Sequence, residues 1–314
     1  MNHPPVLGIL RRMPDLLSCT EENQMRTKNN FVLMLGFVLV FMIATNAASA
    51  PTLTFKFTTF NVPGAIATVL GGINDAGVIV GQYEDKKDVV HCFMLAGSKV
   101  TTINHPNAVS DGCIHINSAG AIVGSWKNSA GVTSGFSYQN GKFTNIPGPS
   151  GAKSSVAYGI NDSGQIVGYY TDSSGKYHGF LLTGAKYSVL NVPGAASTIA
   201  TGINKAGNIV MYYGIGTRIA SALYNGKTYK TINVPLAANS LARDINNAGD
   251  IVYEILNSSF EHEEGALFHG GKYYTFTYPN SAATSGFGIN DDSVLVGLYQ
   301  ATATGPDQGF KATY

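Results

Sequence analysis

The sequence predicts an all-β fold: a closed six-bladed β-propeller whose blades are four-stranded antiparallel sheets. The first observation is a repeat, in which Ile-Asn precedes a turn and an apolar pair, at intervals of 42 to 44 residues. The marker asparagines are Asn74, Asn117, Asn161, Asn204, Asn246 and Asn290. The second is that each unit has the length and strand content of a propeller blade. The third is the lack of helical periodicity after Pro51.

The third repeat illustrates the four strands of one blade. Residues 154–160 alternate in polarity and lead into Asn161-Asp162-Ser163-Gly164, a hairpin signal in which the glycine accommodates a positive φ. Three further strands are predicted at 165–170, 178–182 and 187–192, before Pro193.

The order of the strands predicts how the ring closes. Residues 52–62 resemble a fourth strand, whereas the chain ends at 310–314 in a third strand. The N-terminal segment can therefore complete the last blade and remove an open sheet edge. We expect residues 51–314 to form one propeller domain.

Two more markers keep the repeat period. One lies about 20 residues after each asparagine, at His91-Cys92-Phe93, Ser134-Gly135-Phe136, His178-Gly179-Phe180, Ser221-Ala222-Leu223, Gly265-Ala266-Leu267 and Gln308-Gly309-Phe310. The other is a proline, at Pro63, Pro106, Pro147, Pro193, Pro235 and Pro279.

The whole unit is similar to a known repeat. Gly-Ile-Asn-Asp-x-Gly-x-Ile-Val-Gly-x-Tyr at 159–170, His-Gly-Phe at 178–180 and Asn-Val-Pro-Gly-Ala at 191–195 resemble the bacterial extracellular HAF-repeat family. The resemblance covers residues 51–314, with departures from glycine at Met211, Tyr253 and Ser293. It implies export and a propeller-like structure, but it transfers no activity and no catalytic residue.

Residues 1–50 are predicted to be a leader that contains a signal peptide. An apolar run at 31–44 follows Arg26 and Lys28 and precedes Ala48-Ser49-Ala50, a small-x-small cleavage pattern. We expect translation to start at Met25, since the polar residues before it are unusual ahead of a signal. The protein is then secreted or periplasmic, with no stable membrane insertion after cleavage; an uncleaved anchor remains the alternative.

Composition excludes one class of partner. Charged residues make up only 12% of the chain, and the net charge is +1. Only two arginines, Arg218 and Arg243, follow the leader, so no basic stripe could track a phosphate backbone. We expect no nucleic-acid partner, no cofactor and a monomer.

The sequence does not decide whether two cysteines form a disulfide. Cys92 and Cys113 remain after the leader and could form a disulfide in an oxidising compartment. Both also stand where other repeats carry mostly glycine or alanine, so each could simply be a small buried side chain.

The candidate ligand-binding residues are aromatic and lie nine residues beyond the marker asparagines. They are Tyr83, Trp126, Tyr170, Tyr213 and Tyr299, with Ile255 at the sixth position. Here the second strand enters the variable loops, and rigid aromatic side chains suit recognition. The alternative is that these rings pack between blades over small residues.

Three other groups of polar residues are candidates for catalysis or metal binding. His115 and Asp244 replace glycine on the innermost strands of opposite blades and could form an acid–base pair. The acidic loop 261–264 could supply metal ligands, but adjacent loop residues rarely converge on one ion, so we predict no metal site. His91 and His178 are expected to form hydrogen bonds to neighbouring backbone, and no catalytic residue is assigned.

The sequence therefore favours an exported binding module that recognises extracellular polysaccharide or protein through one loop face. A propeller hydrolase or lyase that acts on such polymers is the first alternative, and a structural cell-surface repeat protein is the second. Enzymatic activity is left undecided but is less favoured, since no catalytic motif is present.

Overall fold

The computed structural model describes residues 53–314, and the predicted leader with its signal peptide lies outside them. The described residues form 24 β-strands. The first twelve are β1 (Lys56–Phe60), β2 (Ala67–Ile73), β3 (Ile79–Glu84), β4 (Val90–Ala96), β5 (Lys99–Ile103), β6 (Ser110–Ile116), β7 (Ile122–Lys127), β8 (Thr133–Gln139), β9 (Lys142–Ile146), β10 (Ser154–Ile160), β11 (Ile166–Thr171) and β12 (Tyr177–Thr183). The others are β13 (Lys186–Leu190), β14 (Ser197–Ile203), β15 (Ile209–Ile215), β16 (Arg218–Tyr224), β17 (Tyr229–Thr231), β18 (Asn239–Ile245), β19 (Ile251–Leu256), β20 (His262–His269), β21 (Lys272–Phe276), β22 (Ala283–Ile289), β23 (Val294–Gln300) and β24 (Gln308–Thr313).

These strands build six antiparallel sheets of four strands, the blades of a propeller. Blades 1 to 5 take β2–β5, β6–β9, β10–β13, β14–β17 and β18–β21 in order, with the first strand of each nearest the axis. Blade 6 contains β22 to β24, and β1 pairs with β24 from Lys56 opposite Thr313 to Phe60 opposite Gly309. The predicted six-bladed fold and its closure by the N-terminal strand are confirmed.

The hairpin between the first two strands of blade 3 forms as its sequence predicts. The backbone N–H of Gly164 donates to the carbonyl of Asn161 at 3.0 Å, and Gly164 adopts a φ of 73°. A residue with a Cβ would be strained in this conformation. The predicted strands lie within one or two residues of β10 to β13.

The marker asparagines form a closed ring of hydrogen bonds around the axis. In every blade the side-chain Nδ2 donates to the backbone carbonyl of the next blade's asparagine, at 3.1–3.2 Å. The Oδ1 accepts the backbone N–H four residues later, at 2.9–3.0 Å. Each amide therefore closes its own turn and joins two blades. The last bond, from Asn290 to Asn74, joins the two ends of the array.

A β-bulge interrupts the innermost strand of every blade, two or three residues before the asparagine. The bulged residues are Gly71, Ile114, Tyr158, Thr201, Arg243 and Phe287, and all of them line one axial cavity of about 10 Å³. Arg243 pairs with the buried Glu254, and its Cζ lies 5.3 Å from the ring centroids of Tyr212 and Phe287. Side chains thus fill most of the channel below the asparagines.

Each blade also contains one pairing of a small and a large residue. Gly81, Gly124, Gly168 and Gly297 face a phenylalanine of the third strand. A Cβ on Gly168 would clash with the backbone oxygen of Val156 and would lie 2.9 Å from Cζ of Phe180, so glycine is needed there. In blades 4 and 5 the sizes are exchanged, since Met211 faces Ala222 and Tyr253 faces Ala266.

This exchange corrects the alignment of the second sequence marker. Ala222 and Ala266, not Leu223 and Leu267, occupy the position that phenylalanine takes in the other blades. The predicted position is wrong by one residue in both copies, because the leucines there are large like phenylalanine but do not face the second strand's Met211 or Tyr253. The large residue of the pair is instead supplied by the second strand.

A disulfide joins Cys92 of blade 1 to Cys113 of blade 2. Their Cα atoms are 5.0 Å apart and 21 residues apart in sequence, and neither side chain is exposed. Of the two possibilities that the sequence left open, the bridge is the one observed. A loop of this length implies a stabilisation of about 3 kcal/mol.

The asparagine ring predicts a specific loss of stability. Asn161→Ala removes the donor to Asn204 and the acceptor for Gln165, so it should lower the free energy of unfolding by about 2 kcal/mol. Urea denaturation measures this loss. Ser163→Ala, on the exposed part of the same turn, is the control and should change stability by less than about 0.5 kcal/mol. Equal denaturation midpoints for the two variants would contradict the role of the ring.

Candidate ligand-binding site

The propeller has two different faces. The asparagine face carries the turns that follow the marker asparagines. The loop face carries the loops between second and third strands, at 85–89, 128–132, 172–176, 216–217, 257–261 and 301–307, and the crossovers from each blade to the next. The described part of the chain has no helix long and apolar enough to span a membrane.

The asparagine face has a shallow polar pocket on the axis, of about 60 Å³. Asp75, Asp162 and Asp291 border it, and each accepts a backbone N–H from the preceding blade, at 2.9, 2.9 and 2.8 Å. These carboxylates therefore reinforce the junctions between blades. Among the described residues, no three His, Cys, Asp or Glu side chains are grouped so that they could hold a metal ion.

His115 and Asp244 meet across the axis beneath this pocket. The imidazole Nε2 lies 3.1 Å from Oδ2 of Asp244. The same oxygen accepts the N–H of Ile289, and Oδ1 accepts that of Ile245. The sequence correctly singled out these two substitutions of glycine as candidates for a pair. The His115 side chain is 13% exposed and that of Asp244 is 2% exposed, so a substrate would have little access.

The environment of His115 stabilises its charged form. Burial lowers the pKa of His115, but the charge of Asp244 and its hydrogen bond raise it, so the net result lies above the usual 6.5. The carboxylate of Asp162 acts in the same direction. The other ring nitrogen, Nδ1, is buried and has no hydrogen-bond partner among the described residues.

The five predicted aromatic residues lie in five separate blades, where each contributes to packing. Tyr83 and Tyr170 stack on His91 and His178 of their own blades, with ring centroids 5.1 Å apart in both. The other rings contact crossovers or neighbouring side chains. Trp126 stacks on His105 at 4.0 Å, Tyr299 stacks on Tyr278 at 3.6 Å, and Tyr213 packs in a cluster with Val192.

Exposure divides these five residues into two groups. Tyr213 and Tyr299 are buried, with 6% and 7% of their surface exposed. Tyr83, Trp126 and Tyr170 are half-buried. Direct contact with a ligand is therefore expected only from the second group, and the first group supports the loops from beneath.

Two histidines form side-chain networks that the sequence did not predict. His91 Nε2 lies 3.1 Å from Oδ2 of Asp85, and its Nδ1 lies 3.3 Å from Oδ1 of Asn104. Oδ1 of Asp85 accepts the backbone N–H groups of residues 87 and 89. The hydrogen bond from His91 is the main cause that lowers the pKa of Asp85. The loop of blade 1 is thereby tied to its outer strand.

The same network occurs in blade 3. His178 lies 3.0 Å from Asp172 and 3.2 Å from Asn191, through the same pairs of atoms. Hydrogen bonds from Ser174 and His178 hold the pKa of Asp172 well below 3.8. The signal in the sequence is Tyr-x-Asp followed by His and Asn-x-Pro, which only the strand pairing brings together.

A groove of about 80 Å³ lies between the network of blade 1 and blade 2. His91, Asn104, Val109, Ser110 and Asp111 contribute to its lining. Both carboxylate oxygens of Asp111 accept backbone N–H groups, from Cys92 at 2.9 Å and His105 at 2.6 Å. Burial, the largest influence on Asp111, raises its pKa although these bonds lower it. Asp111 therefore forms a rigid part of the lining.

Exposed apolar side chains are concentrated on the loop face. The large exposed apolar residues among those described are Ile66, Val109, Val132, Val189, Ile215 and Leu236. Four of them lie in loops or crossovers of this face: Ile66, Val109, Val132 and Leu236. Ile215 is the last residue of β15, where that strand enters the same face, and Val189 is on the outer strand β13. Leu236 is fully exposed and has a φ of 66°, where blades 3 and 6 use Gly194 and Gly64 in their crossovers.

The acidic loop of blade 5 shows local hydrogen bonding. Oδ1 of Asn257 accepts the backbone N–H of Glu261, and its Nδ2 donates to the Glu261 carboxylate at 3.0 Å. Phe260 of this loop has a φ of 61° and packs against the central apolar cluster. These contacts show that the loop is held by hydrogen bonds within its own turn and by the packing of Phe260.

Comparison with known proteins identifies the fold. No protein-family model and no curated sequence matches the chain. AofleA from Arthrobotrys oligospora has a TM-score of 0.50 and 11% identity, over 83% of this chain and 92% of that one. Virginiamycin B lyase from Staphylococcus aureus has a TM-score of 0.49 and 12% identity, over 83% and 100%. A fucose-recognising six-bladed lectin of Aleuria aurantia has a TM-score of 0.44 and 16% identity, over 68% of this chain and 78% of that one. At such identities the likeness concerns the fold alone.

The axial pair predicts a pH dependence of stability. Because the folded-state pKa of His115 is raised, its stabilising contribution is complete below 6.5 and is lost as the pH rises through the folded-state pKa. His115→Gly combined with Asp244→Gly restores the glycine of the other blades. The wild type should lose stability relative to this double variant as the pH rises from about 6 into the alkaline range. Thermal melts across this range test it, and parallel curves would contradict it.

Proposed function

We propose that the protein is an exported binding module that recognises an extracellular polysaccharide or protein through its loop face. The observation that carries the proposal is the difference between the faces: five of the six large exposed apolar side chains are on the loop face. These side chains lie on or beside the variable loops, and variable loops on a rigid scaffold usually carry recognition. The asparagine face instead uses its polar groups to join the blades.

Leu236 adds an independent argument. A left-handed leucine costs about 1–3 kcal/mol of backbone strain, and this one recovers none of that cost by packing, since it is fully exposed. Such a residue is better explained by contact with a partner than by folding. The groove beside His91 offers a second, more polar contact on the same face.

Export is supported by two features of the chain. The apolar run at 31–44 with its small-x-small pattern is typical of a signal peptide. The buried disulfide between Cys92 and Cys113 is the kind of bond that persists in oxidising compartments. Both favour a secreted or periplasmic location. The HAF-repeat resemblance is in keeping with this proposal.

The geometry favours binding over polymer cleavage at the axis. His115 and Asp244 are paired, but they lie beneath a pocket of only about 60 Å³, and the free Nδ1 is buried. A general acid or base must reach the substrate directly or through one water. The alternative hydrolase or lyase would therefore need residues elsewhere, and assays of released products would detect it.

A charge placed on the loop face should weaken the binding of the ligand. Leu236→Asp and Val109→Asp introduce a carboxylate at an exposed apolar contact, and each should weaken binding at least about tenfold, or about 1.4 kcal/mol. The purified full chain is tested on arrays of polysaccharides and extracellular proteins. Val189→Asp, at a residue as exposed as Val109 but outside this face, should retain full affinity.

Two outcomes would contradict the proposal. If all three aspartate variants bind like the wild type, recognition does not use the loop-face contacts. If the wild type binds no member of either array, the structural-repeat alternative is favoured.

A further inference from the structure

The two histidine networks are nearly identical copies in alternate blades. Tyr83, Asp85, His91 and Asn104 in blade 1 correspond to Tyr170, Asp172, His178 and Asn191 in blade 3. Equivalent hydrogen-bond distances differ by only 0.1 Å. The interplanar angles of the stacked rings are 29° and 24°. In the other four blades a different residue pairs with the position of the tyrosine, so the histidine is absent. These residues are Ser134, Ala220, Glu264 and Gln308.

The loops do not need these histidines to fold. Blade 2 makes the same kind of turn with Asn128, whose Oδ1 accepts the N–H of Val132 at 2.9 Å. In blade 5 the Oδ1 of Asn257 accepts the backbone N–H of Glu261 at 3.0 Å. Neither has a histidine at the equivalent position. The imidazoles of blades 1 and 3 thus need a different explanation.

The chemistry of the network narrows what the imidazole can do. Both ring nitrogens already have oxygen partners, so the ring is poorly placed to bind a metal or to transfer a proton. One face is covered by the tyrosine. What remains is a flat ring face, held by two hydrogen bonds and a stacked aromatic ring, on a half-buried surface.

The first groove supplies polar and apolar contacts beside this ring. Val109 is 51% exposed, and Asn104 and Ser110 carry polar groups in the lining. Beside blade 3 the residue that corresponds to Ser110 is Ser197, at the start of β14 in blade 4. Ser197 is 4% exposed, and its Oγ is buried with no partner among the described residues. Buried hydroxyls are normally satisfied, so this one lacks a hydrogen bond that a ligand or a water reaching it would supply.

We propose that blades 1 and 3 carry two equivalent carbohydrate subsites, each of which packs the C–H face of one sugar ring on the fixed imidazole. Hydroxyl groups at the edge of that ring would bond to Asn104 and to Ser110 of the adjoining blade 2 at the first subsite. At the second they would bond to Asn191 and to Ser197 of the adjoining blade 4. This inference rests on the proposed loop-face function and names its ligand class. Two equal sites separated by one blade suit a polymer of repeating units.

A carbohydrate fits these observations better than a protein partner. A stable protein interface buries about 800 Å² on each side around a continuous apolar centre. Here the exposed aliphatic residues are single and lie at different junctions, with Ile66 before blade 1, Val109 before blade 2 and Leu236 before blade 5. A small polar groove with one aromatic wall, such as the one beside His91, is typical of a contact with a single sugar unit.

The test counts sites with short oligosaccharides. Cellotetraose, xylotetraose, mannotetraose and tetragalacturonic acid are titrated calorimetrically into the purified full chain. The wild type should bind two molecules of at least one of them. His91→Ala and His178→Ala should each retain one site, and the double variant none. Ser110→Glu, which obstructs the first groove without altering the histidine, should also retain one.

A matched control removes a histidine–aspartate pair from the opposite face. His269 Nδ1 lies 2.9 Å from Oδ2 of Asp250 beside the asparagine turns. His269→Ala should keep both sites, and thermal melts establish that every variant is folded. Binding to the parent polysaccharide should fall at least about tenfold in each single variant, because avidity is lost.

The outcomes separate the two proposals. Two sites that persist in the folded double variant would overturn the subsites, and sensitivity to Leu236→Asp would still support the loop face. If none of the sugars binds while an extracellular protein does, the carbohydrate assignment is wrong and the loop-face function stands. If one variant abolishes both sites, the sites are not independent and the proposal is wrong.

Discussion

The ring of marker asparagines is the interaction on which the rest of this structure depends. Each amide closes the turn of its own blade through Oδ1 and binds the next blade through Nδ2. All six are buried, with 4–6% of their surface exposed. A single residue type thus specifies both the hairpin and the spacing between blades. An aspartate could keep the first function but, when ionised, could not donate the second bond.

This ring constrains one face and leaves the other free to vary. The turns around the asparagines cannot change greatly without breaking bonds between blades, and even the carboxylates of Asp75, Asp162 and Asp291 are used in those junctions. The crossovers also have a repeated bond, from a backbone N–H to a buried Thr, Ser or Asp of the next first strand, but it leaves the exposed crossover side chains free to differ. Differences such as Leu236, Val109 and the two histidine networks accumulate there. Variation on a rigid scaffold is the usual arrangement for recognition.

The core shows that the repeat conserves volume better than residue identity. Gly168 with Phe180 in blade 3 becomes Met211 with Ala222 in blade 4 and Tyr253 with Ala266 in blade 5. The exchange keeps one large side chain at this position in each blade, as close packing requires. The ion pair of Arg243 and Glu254 is a further local departure at the axis.

Sequence periodicity was sufficient to predict the blades, their strands and the closing strand β1, because each depends on local turn signals and on a count of repeats. It also identified His115 and Asp244, since opposite blades of a six-membered ring face each other. It could not choose between packing and recognition for Trp126, which depends on whether His105 covers its ring. It missed the partners of His91, because they are brought close only by the register of three strands.

The most direct test of the account is a hydrogen–deuterium exchange map of the full chain, with and without the oligosaccharide that binds most tightly. We expect the bound oligosaccharide to slow amide exchange in residues 84–91, 104–111, 171–178 and 191–197. Exchange in the turns that follow Asn74, Asn161 and Asn246 should not change. Protection confined to the asparagine face, or spread evenly over both faces, would contradict it.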